Sequence, residues 1–230
     1  MIKTRALATI SRPPSSGVAR KGIADPVPDQ AMKAMPEDFE RIMATLNAAE
    51  TVKDPALADH EGRVGRASER LARSLGWTNA ECRTLSLAAS VHDVGKLLLP
   101  DAILLADGPL LPEQWDLVRQ HPEFGHGILS RFDHPTARLA ASIALHHHER
   151  FDGTGYPHGL HGLDIPLEAR IVAVCDVYDA LRSHRSYKTA RSHDDALRIM
   201  LDGDGRTAPE HFDPVILAAF AKLSAEQLAA

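Results

Sequence analysis

Residues 85–96 read LSLAASVHDVGK. Leu85, Ala88, Ala89 and His92 fall at helical spacing, so one face of a helix runs apolar and ends in an imidazole just before Gly95. A histidine that continues an apolar stripe points into a core rather than into water. The pattern recurs outward in both directions. His60 leads Val64, Ala67, Leu71 and Leu75, with Gly76 placed to end that helix. Ala137, Ala141, Ala144 and Leu145 lead to His148. Further stripes run through Phe39, Ile42, Met43 and Leu46 from Glu37, through Ile171, Val174, Cys175 and Tyr178 after Pro166, and through Ala196, Leu197 and Met200. An apolar stretch spans Val215 to Phe220, and Pro112 and Pro122 suit first helical turns. No alternating strand of useful length appears. The expected fold class is all-α, a bundle of about seven or eight helices.

One segment breaks the periodicity. Residues 151–166 hold Gly153, Gly155, Gly159 and Gly162 beside Pro157, a long loop of the kind that carries function. Residues 1–36 hold five prolines and no sustained period, which predicts a disordered or linker arm before a domain at 37–230. A net charge of −5 argues against binding a nucleic-acid polymer through a basic face, while leaving room for a small phosphate ligand. No apolar run approaches the ~20 residues of a membrane span. Lys3 and Arg5 precede no secretory core, so a cytoplasmic setting is expected. Cys82 and Cys175 sit in apolar helical patterns and read as buried free thiols.

The chemistry lies in the histidines and aspartates. His60 stands in DHEGR, His92 and Asp93 in HDVGK, His121 in HPEFG, His147 and His148 in HHERFDGTGYP, and Asp176 in AVCDVYDAL. Imidazole nitrogens with carboxylate oxygens, and no thiolate, suit iron or manganese better than structural zinc or calcium. Any one of these residues alone has a plain structural reading. Together they would need many hydrogen bonds to offset desolvation in a core without a metal. Adjacent His92 and Asp93 at a helix end can reach two neighbouring ions, and a carboxylate has two oxygens with which to bridge them.

HDVGK, the HHER–DGTGYP stretch, and DVYDAL followed by RSYK resemble the HD-GYP family, a branch of the HD-domain metal phosphohydrolases. The match runs from about Asp54 to Phe220. The resemblance implies hydrolysis of cyclic di-GMP to pGpG and onward to GMP, with two divalent metals activating a shared water for in-line attack on phosphorus. It implies one metal held by His60, His92, Asp93 and Asp176, and a second by Asp93, His121, His147 and His148, with Asp93 bridging. His146 stays outside the ligand set. Lys96 matches a lysine near the metals. Asp54, Asp179, Arg185 and Lys188 match substrate-contacting positions, Tyr156 in the glycine-rich loop is expected to shape the substrate-binding mouth, and that loop or the N-terminal arm would meet signalling partners. Two residues depart from the pattern: Ala56 replaces a glutamate that serves a third metal, and Ser186 replaces a proline. A weakly catalytic cyclic di-GMP receptor and a phosphodiesterase for cyclic GMP-AMP are the rival readings.

Overall fold

The computed structural model describes residues 37–53, 59–106, 108–183 and 190–229. The expected arm at 1–36, and Asp54, Ala56, Arg185, Ser186, Tyr187 and Lys188, lie outside the described residues. Within them the chain is helical and has no strand. The helices are α1 (Glu37–Lys53), α2 (His60–Ser74), α3 (Asn79–Ala89), α4 (Asp101–Leu104), α5 (Pro112–Val118), α6 (His121–Leu129), α7 (Pro135–His146), α8 (Leu167–Arg182), α9 (His193–Asp202), α10 (Pro214–Phe220) and α11 (Ala225–Ala229). Short 3-10 turns occupy Val94–Leu98, Gly162–Asp164 and Pro209–His211. The count exceeds seven or eight because pieces such as α4 and α11 are too short to show a stripe.

The periodic faces are the buried ones. Val64, Leu71, Leu85, Ala88, Ile143, Ala144, Ile171, Val174, Cys175, Met200 and Phe220 are fully buried in one core. Each large aliphatic among them contributes roughly 1.5–3 kcal/mol of burial. Helix α2 packs against α3 and α8, α3 and α6 both pack against α7, and the 3-10 turn at 94–98 packs against α6. These contacts bring the C-terminal ends of α3 and α7, the N-terminal ends of α2 and α6, and the middle of α8 to one place. Both cysteines are buried and free.

Local chemistry sets the helix ends. Helix α2 stops because Gly76 adopts φ +87, which lets Gly76 N donate to Arg73 O (3.0 Å) and Trp77 N donate to Ala72 O (3.1 Å). Helix α3 starts with a reciprocal cap: Glu81 N donates to Thr78 Oγ1 at 3.3 Å, and Thr78 N donates to Glu81 Oε2 at 2.8 Å.

The stripe through His92 overran the helix. Helix α3 ends at Ala89, and His92 and Asp93 sit in a turn that leads into the 3-10 segment. The cause is a tertiary contact at Gly95. A Cβ there would lie 1.9 Å from His121 O and 2.5 Å from Gly125 N, so the backbone of the turn is pressed directly onto α6. Only glycine allows that approach.

Candidate metal centre

Seven side chains from five parts of the chain converge. His60 begins α2, His92 and Asp93 occupy the turn after α3, and His121 begins α6. His147 and His148 follow α7, and Asp176 lies midway along α8. All seven sequence-predicted metal ligands are brought together. Ligand atoms of Asp93, His121, His147 and His148 all lie within 4.8 Å of one another, as do those of His60, Glu61, His92 and Asp93. Asp93 belongs to both groups. Asp176 Oδ1 completes the group around His60 and His92, 3.4 Å from His60 Nε2 and 3.8 Å from His92 Nε2.

The orientation of each ring is fixed from behind. His121 Nδ1 lies 2.7 Å from Val118 O and His147 Nδ1 lies 2.9 Å from Ala144 O, so each ring carries its proton on Nδ1 and turns a bare Nε2 inward. Those two Nε2 atoms stand 3.3 Å apart, and they lie 3.1 and 3.5 Å from Asp93 Oδ1. Asp93 Oδ1 and His92 Nε2 are buried and have no aligned hydrogen-bond partner. Around Asp93 Oδ1, the lone pairs of His121 and His147 thus converge on a carboxylate oxygen with no proton between them. A divalent cation resolves that arrangement, and the donor set fits one.

Electrostatics divide the site into two halves. Burial opposes charge on His60, but hydrogen bonds to Asp176 and Asp179 outweigh it and hold the ring at about 9. Burial likewise opposes charge on His92, where the negative charges of Glu61 and Asp93 win and raise it well above the usual range. In the other half burial pushes His147 down to about 4, and burial with the neighbouring His147 and His121 holds His148 well below its ordinary value. Despite burial, the Asp93 carboxyl is held well below the usual carboxylate range by Lys96 and then His92. Lys96 Nζ contacts Asp93 Oδ2, where the sequence expectation places a cation near the metals.

The glycine-rich loop closes over the second half. Glu149, buried to 3% exposure, accepts from His158 N at 2.8 Å and Leu160 N at 3.0 Å, pinning both limbs of the loop. Gly155 lies against residues 148–150, where a Cβ would meet Arg150 N at 2.2 Å. Tyr156 therefore stacks on His148, ring centroids 4.7 Å apart, and the guanidinium of Arg119 lies 5.7 Å above the tyrosine ring.

Asp179 sits in a different neighbourhood from the expected substrate contact. Its oxygens accept from His60 Nδ1 at 2.7 Å, Arg63 Nε at 2.6 Å, Arg63 Nη2 at 3.0 Å and Ser183 Oγ at 3.0 Å. It stands behind His60, with the metal position on the far side of the ring. His146 stays apart from the cluster, with Nδ1 on Ser142 O at 2.9 Å. The sequence reading passed over Glu50, Glu61, Arg119 and Glu149. The sequence offered only adjacency, Glu61 next to His60 and Glu149 next to His148, and their burial is a tertiary fact.

A family model described as HD domain matches residues 46–216. The chain is 39% identical over 191 residues to a cyclic di-GMP phosphodiesterase of Thermotoga maritima, covering 83% of this chain and 51% of that protein. It is 35% identical over 181 residues to a 3′3′-cGAMP-specific phosphodiesterase of Vibrio cholerae, covering 79% of this chain and 34% of that protein. The chain thus spans about half or less of the length of these curated relatives. Among solved structures, the HDGYP protein Bd1817 from Bdellovibrio bacteriovorus superposes with a TM-score of 0.54 at 25% identity, over 70% of this chain and 50% of that one. Sequence, buried ligands and loop agree: the chain belongs to the HD-domain family, in its HD-GYP branch.

Proposed function

We propose that the protein hydrolyses a phosphodiester bond of a cyclic dinucleotide, cyclic di-GMP before others, with two divalent iron or manganese ions. The observation that carries this reading is the division of Asp93: Oδ1 faces His121 and His147, while Oδ2 faces His92 and Lys96. One carboxylate between two histidine groups is the arrangement a two-cation phosphohydrolase requires. Bound divalent cations supply Lewis-acid charge for phosphoryl oxygens and water activated near neutral pH.

The chain's own groups then have distinct tasks. Asp93 sets the spacing of the two halves. Lys96, paired to Asp93 Oδ2, brings a positive charge to the side of the site where phosphoryl charge develops. Tyr156 and Arg119 form one wall of the mouth, an aromatic face under a cation, suited to a base or a phosphate. Asp54, Arg185 and Lys188 are proposed substrate contacts on the strength of the resemblance alone. Asp179 positions His60. Leu163, 74% exposed at the edge of the glycine-rich loop, offers a signalling partner an apolar contact. No helix among the described residues is long and apolar enough to cross a membrane, and buried free thiols fit a reducing cytoplasmic setting.

Turnover by the purified protein loaded with manganese, with cyclic di-GMP and 3′3′-cyclic GMP-AMP in parallel, tests the proposal. Cyclic di-GMP is expected to give pGpG ahead of GMP, because Ala56 supplies no ligand for a third cation. Preferred turnover of cyclic GMP-AMP would favour the specificity named for the Vibrio cholerae relative. Tight binding without turnover would make the protein a receptor. Arg185→Ala is expected to raise KM more than it lowers kcat, the mark of lost uniform binding.

A further inference from the structure

Glu61 follows His60 on α2 and is the member of the His60, Glu61, His92 and Asp93 cluster that the expected ligand set leaves out. It is 2% exposed, and neither carboxylate oxygen has an aligned hydrogen-bond donor among the described residues. Its Oε2 lies 2.9 Å from His92 Nδ1, and the carbonyl oxygen of Ala89 lies 2.9 Å from the same nitrogen. As placed, the N–H points at the carbonyl, and a small rotation of the ring transfers it to the carboxylate. A buried carboxylate without a donor is costly. The pattern of anchors around it gives that cost a purpose. His121 and His147 are held by carbonyls alone, whereas His60 is backed by the carboxylate of Asp179.

We propose that Glu61 is a positioning residue for the metal half formed by His60, His92 and Asp176. Its carboxylate takes the Nδ1–H of His92, fixes the ring with Nε2 turned toward Asp93 and Asp176, and makes that nitrogen a stronger donor to a divalent transition cation. Direct ligation by Glu61 is the competing role. The two nitrogens of an imidazole point away from each other, so an oxygen 2.9 Å from Nδ1 stands on the edge opposite a cation at Nε2. The inference rests on the two-metal reading of the site.

Manganese titration of the full chain, read by electron paramagnetic resonance and by competition with a chelating dye, tests it on the wild type, Glu61→Gln and Glu61→Leu. The wild type is expected to bind two ions per chain and to give an exchange-coupled spectrum. Glu61→Leu is expected to weaken one of the two sites by ~10–100-fold, the usual effect of removing such a partner. The other site should keep wild-type affinity, and the spectrum should become that of an isolated ion. Glu61→Gln keeps an acceptor for Nδ1–H and loses only the charge, so it should recover most of the affinity and the coupled spectrum. Should the leucine variant fail to fold, the near-isosteric glutamine variant still decides: recovery supports positioning. Loss of one ion in Glu61→Gln would make Glu61 a ligand and overturn the proposal. Unchanged affinities in Glu61→Leu would also overturn it. A wild type that binds no manganese would overturn the two-metal reading, and the proposal with it.

Discussion

The two halves of the metal centre use the same ligand chemistry but are braced differently. Behind His121 and His147 stand backbone carbonyls, at 2.7 and 2.9 Å. Behind His60 stands the carboxylate of Asp179, itself gripped by Arg63 at 2.6 Å. A carbonyl dipole fixes a tautomer and leaves the imidazole close to neutral, so burial wins and His147 is pushed to about 4. Carboxylates add full charges, and Asp176 first, with Asp179 behind the ring, holds His60 at about 9 against the same burial. Bracing therefore separates donor strength from donor identity. The half around His60 is acid-rich and tuned for cation charge. The half around His121 and His147 is a fixed set of bare nitrogens under a loop.

The most damaging way to break the comparison is to remove what the halves share. Asp93→Ala takes an oxygen from both groups and leaves Lys96 without its partner. Hydrolysis is expected to fall to background, with metal content reduced at both positions by elemental analysis. A variant that kept two ions per chain and wild-type turnover would remove the bridging role.

The next change acts on the second half alone. Gly155→Ala places a methyl 2.2 Å from Arg150 N, against backbone that cannot yield as a side chain would. The loop must lift from residues 148–150 and carry Tyr156 off His148. We expect a loss of about 3 kcal/mol, at the upper end for overpacking, read by denaturant unfolding. Turnover should fall while the first half keeps its manganese affinity. Smaller again is Asp179→Asn, which leaves a side chain of the same shape behind His60 but removes its charge. Asparagine still accepts from His60 Nδ1, so metal affinity of the first half should drop by less than the ~10–100-fold expected for full removal of such a partner, with the second half unchanged. An equal loss in both halves would show that the bracing is not local.

How far the sequence revealed this depended on what each feature leans on. Helices α2, α7 and α8 were legible because local periodicity reports the buried face, and the seven expected ligands stood out as histidines and aspartates in short motifs that the fold brings together. The end of α3 was not legible. The stripe runs through to His92, but the chain turns at Ser90 because Gly95 must fit against the His121 carbonyl, a contact between residues far apart in sequence. Asp179 was legible as an acid on the Asp176 side of α8. Its service to His60 was hidden, because Arg63 and His60 reach it from more than a hundred residues away. Glu61 and Glu149 sit among polar neighbours in sequence and read as surface acids, and only three-dimensional burial separates them from the surface.

Glu50 sharpens the comparison from the other side of the acid-rich half. It lies on α1, is 2% exposed, and has no hydrogen-bond partner for either oxygen among the described residues. Burial first, then the negative charges of Glu61 and Asp93, push its carboxyl up to about 9 from 4.5. Between those two values the folded protein keeps a proton on Glu50 that the unfolded chain has released. Unfolding then releases a proton, so stability is full below the unfolded value and declines as pH rises toward the folded one. The limiting slope is about 1.4 kcal/mol per pH unit for one proton. Water entering the pocket reduces it, and we expect about 1–2 kcal/mol between pH 6 and 8. Glu50→Gln carries no titrating proton and should lose this slope, so that the variant gains on the wild type as pH rises. Denaturant unfolding of both proteins at a series of pH values, with chelator present so that cations do not offset the acid charge, measures the difference. Parallel stability curves would show that Glu50 is hydrated or paired in solution. The acid-rich character of the first half would then rest on Asp176, Asp179 and Glu61 alone.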